Sequence, residues 1–207
     1  MSAAPFQPTL LSPHTPATEW EIQALLTLEK AGHQLAPIVI IPAALEKRFY
    51  RLNNLPGQLA RIFQRLDLQD PDEDDVEDAV PAAQALLKKH YLLDETIDLF
   101  YAALKVLPAK VQVRRPEGST VYTATRGRPV LMKVKQLWQD DWTFDAVMAR
   151  LDKKQTFGLE ARPVLLHGAD EREADPEANS VASALLGESV TLWQAPEGVT
   201  RAYRPGS

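Results

Sequence analysis

The chain has 207 residues, of which 45% are hydrophobic and 25% charged, and its formal net charge is −5. This composition is that of an average globular protein with a buried core, and no run of about 18 apolar residues predicts a transmembrane helix. Cysteine is absent, which excludes disulfides, thiolate metal sites, iron–sulfur clusters and a cysteine nucleophile. The first residues contain no basic segment and no long apolar stretch, so we expect no signal peptide and a cytoplasmic location.

The N-terminal part predicts an extended arm, then helices with one short strand between them. Residues 1–17 carry four prolines among serines and threonines, which indicates an extended, proline-rich arm. Thr18 and Glu21 have the spacing of a capping box, which marks the start of a helix. The elements expected after the arm are a helix at 19–31, a β-branched strand at 37–41, and helices at 42–52 and 56–66.

An acidic segment follows these helices. Between Asp67 and Asp78 the chain has eight acidic residues and no basic residue, with Pro71 inside the run. Such a segment has almost nothing apolar to bury, so we expect a solvated linker over 67–80 that becomes helical only after Val76. The linker could also compete within the molecule for the basic surfaces on either side of it.

The C-terminal part predicts a mixture of helices and hairpins. Alternating residues on either side of the turn Pro116–Ser119 are typical of a β-hairpin. A second hairpin closes the chain around a similar Pro-Glu-Gly turn. The full set of expected elements is helices at 81–93, 94–107 and 144–151, a helix opening after Gly127, a helix at 176–186, a strand at 161–167, and hairpins at 110–126 and 190–204.

These elements predict an α+β fold with a helical N-terminal half that holds one short strand. The C-terminal half is mixed, with two β-hairpins and helices. The corresponding domain organisation is an arm at 1–17, a helical subdomain at 18–66, an acidic linker at 67–80, and a mixed α+β subdomain with a basic hairpin at 81–207.

The basic hairpin is the strongest functional candidate in the sequence. A two-stranded ribbon that bears guanidinium groups can follow a phosphate backbone, and an aromatic side chain between them can stack on a base. We expect these side chains on a solvated sheet face, where the alternative is that they only pair with the acidic run. The candidate contacts in and after the hairpin are Arg114, Arg115, Tyr122, Arg126, Arg128, Lys133 and Lys135.

A second basic surface is expected on the two helices before the acidic segment. Lys47 and Arg51 are four residues apart, and so are Arg61 and Arg65, so each pair lies on one helix face. These four side chains could extend the same nucleic-acid surface, or they could form an ordinary solvated helix exterior.

Three functional hypotheses follow, and the first two are non-enzymatic. The first is a nucleic-acid-associated or regulatory protein that binds DNA or RNA through the basic hairpin. The second is a protein adaptor or assembly protein, or a homo-oligomer, that uses the arm and the tryptophan side chains. The third is a small hydrolase or transferase that uses His167, Asp170 and Glu171 after a short strand. No glycine loop, nucleophile elbow or metal-ligand spacing predicts a cofactor or a metal.

Overall fold

The predicted α+β class is confirmed. The computed structural model describes residues 7–66, 71–92, 94–152, 161–169 and 171–205. In these residues eight helices accompany eight strands, and the strands form two antiparallel sheets. None of the described helices has both the length and the apolar composition that crossing a membrane requires.

The helices and strands agree closely with the expected order. The helices are α1 (Trp20–Lys30), α2 (Ala43–Leu52), α3 (Leu55–Ile62), α4 (Glu73–Lys89), α5 (Asp94–Leu104), α6 (Arg128–Asp140), α7 (Phe144–Asp152) and α8 (Pro176–Leu186). The strands are β1 (Thr9–Leu10), β2 (Val39–Ile41), β3 (Lys110–Arg114), β4 (Val121–Thr125), β5 (Val164–Gly168), β6 (Arg172–Glu173), β7 (Thr191–Ala195) and β8 (Gly198–Tyr203). The short strands β1 and β6 are additions to the prediction.

The larger sheet divides the molecule into two cores. Its strand order is β1-β2-β5-β3-β4, and every neighbouring pair is antiparallel. Side chains alternate between its faces, because successive residues of a strand point to opposite sides. Val39 and Val113 lie in the core formed with α2 to α7, whereas Ile40 and Leu165 lie in the core formed with α1, α8 and the smaller sheet, β6-β7-β8.

The described part of the N-terminal arm is docked on the larger sheet. Thr9 and Leu10 pair with Ile40 and Val39, and Leu11 is buried in the core next to α1. The extended conformation that the prolines predict is therefore present at β1, where it completes one edge of the sheet. Residues 1–6 lie outside the described residues.

The prediction that the acidic segment is a linker as far as residue 80 is wrong in its second half. Residues 67–70 lie outside the described residues, but α4 begins at Glu73 and continues through Pro81. The reason is an apolar stripe at helical spacing, which buries Val76, Val80 and Ala83 against the larger core. The division into subdomains at 67–80 stays a prediction, although both sides of it contribute to that core.

Candidate functional site

Three of the cations predicted to contact phosphate are buried. Arg114, Arg115 and Lys135 have exposed fractions of 0%, 5% and 4%. The prediction that the first two arginines lie on a solvated face is wrong, because strand alternation fixes only which face of the sheet a side chain is on. It does not indicate whether another layer covers that face.

Arg114 joins three layers of the structure. Its Nη1 and Nη2 atoms donate to the two carboxylate oxygens of Glu21, on α1, and both distances are 2.7 Å. Nη2 also donates to the carbonyl oxygen of Thr200, on β8, at 3.2 Å. Glu21 accepts a further bond from the backbone N–H of Glu117 at 2.7 Å. The bidentate pair therefore ties the larger sheet to α1 and to the smaller sheet.

This pairing replaces the capping box predicted for α1. The N-cap residue of that helix is Glu19, and no side chain caps it. The carboxylate of Glu21 is fully buried and bonded to Arg114. Sequence spacing alone could not separate the two roles, because a Glu in the first helical turn suits either of them.

His167 lies beside this pair, and its imidazole ring is buried and uncharged at pH 7. Arg114 Nε donates to its Nε2 at 3.0 Å, and its Nδ1 lies 2.9 Å from the carbonyl oxygen of Gly168. Burial, followed by the charge of Arg114, lowers the pKa of His167 from 6.5 to about 3, so the ring is neutral at pH 7. Both ring nitrogens are engaged, and the side chain has no exposed surface. Glu171 lies 3.7 Å from Nδ1 and is also largely buried, so the described part of this site offers no exposed base. Asp170 lies outside the described residues.

Arg115 occupies a second buried cluster. It donates to both carboxylate oxygens of Glu46 at 2.9 and 3.1 Å, to Asp141 at 2.6 Å, and to the carbonyl oxygen of Arg162. Burial raises the pKa of Glu46 above its usual value, although Arg115 opposes that effect. Through these contacts the guanidinium group links α2, the hairpin and the end of α6.

Three further side chains of the predicted surface also form contacts within the protein: Tyr122, Lys133 and Lys135. Lys135 Nζ donates to the carbonyl oxygens of Lys88 and His90, at the C-terminal end of α4. Burial lowers the pKa of Lys135. Tyr122 donates its hydroxyl to Asp140 at 2.8 Å, and Lys133 Nζ lies 4.9 Å from the Tyr122 ring centroid. These side chains stabilise helix ends and the hairpin.

The predicted cations that stay exposed at the hairpin converge on a cleft. Arg126 and Arg128, which follow β4, line an open cleft of about 350 Å³ together with Lys105 and Tyr101 of α5. Arg126 Nη1 donates to the carbonyl oxygen of Leu107 at 2.5 Å, which fixes the guanidinium group at the end of α5. Within the described ranges none of the three cations forms an ion pair.

Sequence reasoning missed Lys105 and Tyr101, although the signal for them was present. An antiparallel hairpin brings the residues before its first strand next to those after its second strand. Because Lys110 pairs with Thr125, the end of α5 must lie close to Arg126 and Arg128. The hairpin register therefore predicts this neighbourhood once the preceding helix is included.

The second predicted surface is exposed but separate. Lys47 and Arg51 on α2, and Arg61 and Arg65 after them, are all exposed. None of these four side chains lines the cleft formed by Lys105, Arg126 and Arg128.

Comparisons with known proteins provide no functional assignment. No family model matches this chain, and no curated protein matches it in sequence. In the described residues no three His, Asp or Glu side chains converge as the ligands of a metal ion would. Among the described residues, the cleft of Lys105, Arg126 and Arg128 brings three exposed cations together and is the candidate site.

Proposed function

We propose that the protein is a non-enzymatic, nucleic-acid-associated binding protein, whose phosphate contacts are Lys105, Arg126 and Arg128. The observation that carries this proposal is the convergence on one open cleft of three cations that have no carboxylate partner in the part of the chain that the structure describes. By contrast, the buried arginines of the same hairpin are paired with carboxylates. A phosphate group would supply the anion that the cleft lacks.

The surroundings of the cleft favour the same ligand. Arg128 begins α6, and the start of a helix carries partial positive charge that attracts phosphate. Tyr101 adds a half-buried aromatic ring to the wall, and a base of a single strand can stack on such a ring. Arg126 Nη1 is held by the carbonyl oxygens of Lys105 and Leu107, and among the described residues its Nε and Nη2 stay available to a ligand.

The net charge of the chain limits the affinity for nucleic acid that we expect. At −5 the whole chain repels a polyanion at long range, so binding depends on the local field of the cleft. Three phosphate contacts give a slope of about −2.7 in a plot of log affinity against log salt for duplex DNA. We therefore expect moderate affinity at low salt that weakens steeply as salt is added.

A salt titration tests the proposal. Fluorescence anisotropy would measure the binding of labelled single-stranded and duplex DNA and RNA to the wild-type chain and to the double variant Lys105→Ala, Arg128→Ala. We expect the slope to become shallower by about two units in the variant. The matched control is Arg61→Ala, Arg65→Ala, which removes two exposed cations outside the cleft and should leave the slope unchanged.

Two outcomes would overturn the proposal. If the wild-type chain binds no nucleic acid at about 50 mM salt, where contacts of this kind are strong, nucleic acid is the wrong ligand class. The second outcome is a shallower dependence of log affinity on log salt in Arg61→Ala, Arg65→Ala and an unchanged dependence in the cleft variant. In that case the binding surface is the one that contains Arg61 and Arg65.

The adaptor hypothesis has less support from the described residues. Trp138 and Trp142, two of the aromatic side chains expected to engage a partner, are buried, and part of the arm is paired with β2. The cytoplasmic location remains part of the proposal.

A further inference from the structure

The cleft of Lys105, Arg126 and Arg128 concentrates its charge in a small space. Its volume of about 350 Å³ lies at the lower end of the range for sites that hold one small molecule. All three cations are exposed, and each arginine presents a planar fork of N–H donors that fits the oxygens of a phosphate. A site of this size has room for one nucleotide rather than for a length of strand.

The two kinds of phosphate in a nucleic acid differ in charge. A phosphodiester within a strand carries one negative charge. A phosphate monoester at the end of a strand carries about 1.5 to 2 negative charges at pH 7 and has three strong acceptor oxygens. A terminal monoester and the adjacent diester together therefore come close to balancing the three cations of the cleft.

The uncharged part of the wall suits the sugar and the base of one nucleotide. Tyr101 contributes a half-buried ring on which a base can stack, and Leu104 is buried and adds apolar surface. Gly127 has φ +113°, and a Cβ at this position would contact no heavy atom of the described residues within 4 Å. The backbone of Gly127 is therefore open to a ligand in the cleft.

An exposed carboxylate limits the path of a strand along α5. Asp98, Tyr101 and Lys105 lie at positions i, i+3 and i+7, so they share one face of this helix. Asp98 is exposed. A strand that continued past Tyr101 towards the start of α5 would bring a phosphodiester close to this carboxylate, and like charges repel. A strand that ends in the cleft avoids that repulsion.

We propose that the cleft binds the terminal phosphate monoester of a single nucleic-acid strand, with the terminal base beside Tyr101. This inference rests on the proposed function and specifies which part of the nucleic acid occupies the cleft. Lys105, Arg126 and Arg128 contact the terminal phosphate and the adjacent phosphodiester. The interior of a duplex offers neither a monoester nor an unstacked base, so it is the weaker ligand.

Labelled strands that differ only at their ends test the inference. Fluorescence anisotropy would compare one single-stranded sequence, labelled at an internal base, with a 5′-phosphate, with a 3′-phosphate, or with hydroxyl groups at both ends. We expect the wild-type chain to bind one of the phosphorylated strands roughly tenfold more tightly than the hydroxyl strand, because a single additional charge-assisted hydrogen bond is enough for that ratio.

Two double variants locate the preference in the cleft. Lys105→Ala with Arg128→Ala removes two of the three cations and should bind the phosphorylated and hydroxyl strands with nearly equal affinity. Arg61→Ala with Arg65→Ala removes two exposed cations elsewhere and should keep the wild-type ratio. A cleft variant that keeps the full preference would overturn the inference.

A second pair of variants tests the limit on the strand path. Asp98→Asn removes the repulsion and should tighten the binding of the hydroxyl strand, so the ratio between the two strands falls. Glu77→Gln removes the same charge from an exposed position on α4 and should leave the ratio unchanged.

The outcomes separate this inference from the proposed function. If the wild-type chain binds all three strands equally, nucleic acid is still the ligand, but the cleft does not recognise a strand end and the inference is overturned. If no strand binds at about 50 mM salt, the proposed function and the inference both fail.

Competition identifies the source of the phosphate. Inorganic phosphate and a free nucleoside monophosphate carry the same monoester or dianion charge but lack the adjacent phosphodiester. We expect each of them to displace the phosphorylated strand only at concentrations at least roughly tenfold above that of the unlabelled phosphorylated strand. Displacement by either compound at the concentration of the unlabelled strand would mean that the cleft binds a small phosphate compound, and would overturn the inference.

Discussion

Arg114 and Glu21, which lie 93 positions apart in the chain, form a bidentate salt bridge in which neither side chain is exposed. A pair of this kind offsets the cost of removing two charges from water only while both partners are present. The fold therefore depends on this pair, although nothing in the local sequence of either residue indicates it.

Removal of one partner should be strongly destabilising. We expect Arg114→Met to lower the free energy of unfolding by about 3–5 kcal/mol, because Glu21 is then left buried without a counter-charge. Urea unfolding followed by tryptophan fluorescence would measure the change. The double variant Arg114→Met, Glu21→Leu should recover most of the loss, and Arg61→Ala, at an exposed position, should stay within about 0.5 kcal/mol of the wild type. A loss below about 1 kcal/mol in Arg114→Met would contradict this account.

His167 should make stability dependent on pH. Its pKa is lowered from 6.5 to about 3, so the unfolded chain binds more protons than the folded chain between these values. The stability that the neutral ring contributes is present above pH 6.5 and is lost as the pH falls, with a slope that approaches about 1.4 kcal/mol per pH unit. Urea unfolding from pH 8 to 4 should show a shallower decline for His167→Gln than for the wild type.

The comparison between variants isolates the effect of this ring. Carboxylates such as Glu46 titrate in both chains, so their contribution cancels in the difference. His14→Gln changes an exposed histidine and should reproduce the wild-type profile. Parallel profiles for His167→Gln and the wild type below pH 6.5 would mean that the ring is accessible to protons in the folded state.

The buried hydroxyl of Tyr50 should stabilise the larger core through Trp142. The indole Nε1 donates to Tyr50 Oη at 2.7 Å, and both side chains are buried. Tyr50→Phe leaves that N–H without its acceptor, and we expect a loss of about 1–3 kcal/mol in the free energy of unfolding. Tyr91→Phe removes the same hydroxyl from a side chain that is 74% exposed and should cost less than about 0.5 kcal/mol. Equal losses in the two variants would show that the buried hydrogen bond contributes nothing.

Local patterns predicted the elements well because their signals lie within a few residues. The N-cap at Asp175, with Pro176 in the first turn and Gly187 at the end, bounds α8 as expected, and Asp175 accepts from the N–H of Ala178 at 2.8 Å. Alternation on either side of a turn also predicted both hairpins. The linker prediction failed at α4 because the apolar stripe from Val76 to Leu87 has helical spacing that the surrounding acids obscured.

The site was harder to predict because burial is a property of the whole fold. The sequence shows five bases in and around the hairpin strands, but Arg114 and Arg115 find their carboxylates on α1 and α2, far away in the chain. Charge pattern alone therefore could not separate structural arginines from those that reach solvent. Arg126 and Arg128 differ only because they follow the strand and lie at the open start of α6.

The acidic start of α4 should stabilise the fold rather than only restrain the basic surfaces. Asp72 accepts from the N–H of Asp74 at 3.0 Å, and Glu73, Asp74 and Asp75 lie in the first turn, where the helix carries partial positive charge. We expect Asp72→Ala to lower the free energy of unfolding by about 1 kcal/mol through loss of the N-cap. Urea unfolding of Asp72→Ala and of the wild-type chain would measure this difference in the free energy of unfolding.

A matched pair of double variants separates the effect of helix position from that of net charge. Glu73→Gln with Asp74→Asn removes two charges from the first turn, where each contributes about 0.3–1 kcal/mol, whereas Glu77→Gln with Asp78→Asn removes two exposed charges one turn later. Both pairs reduce the overall negative charge equally, but only the first removes charges that the helix end attracts. We therefore expect the first pair to destabilise the chain and the second to leave it unchanged or slightly more stable, because relief of acidic self-repulsion is all that remains. Equal losses in both pairs would contradict a role of the first turn at the helix end.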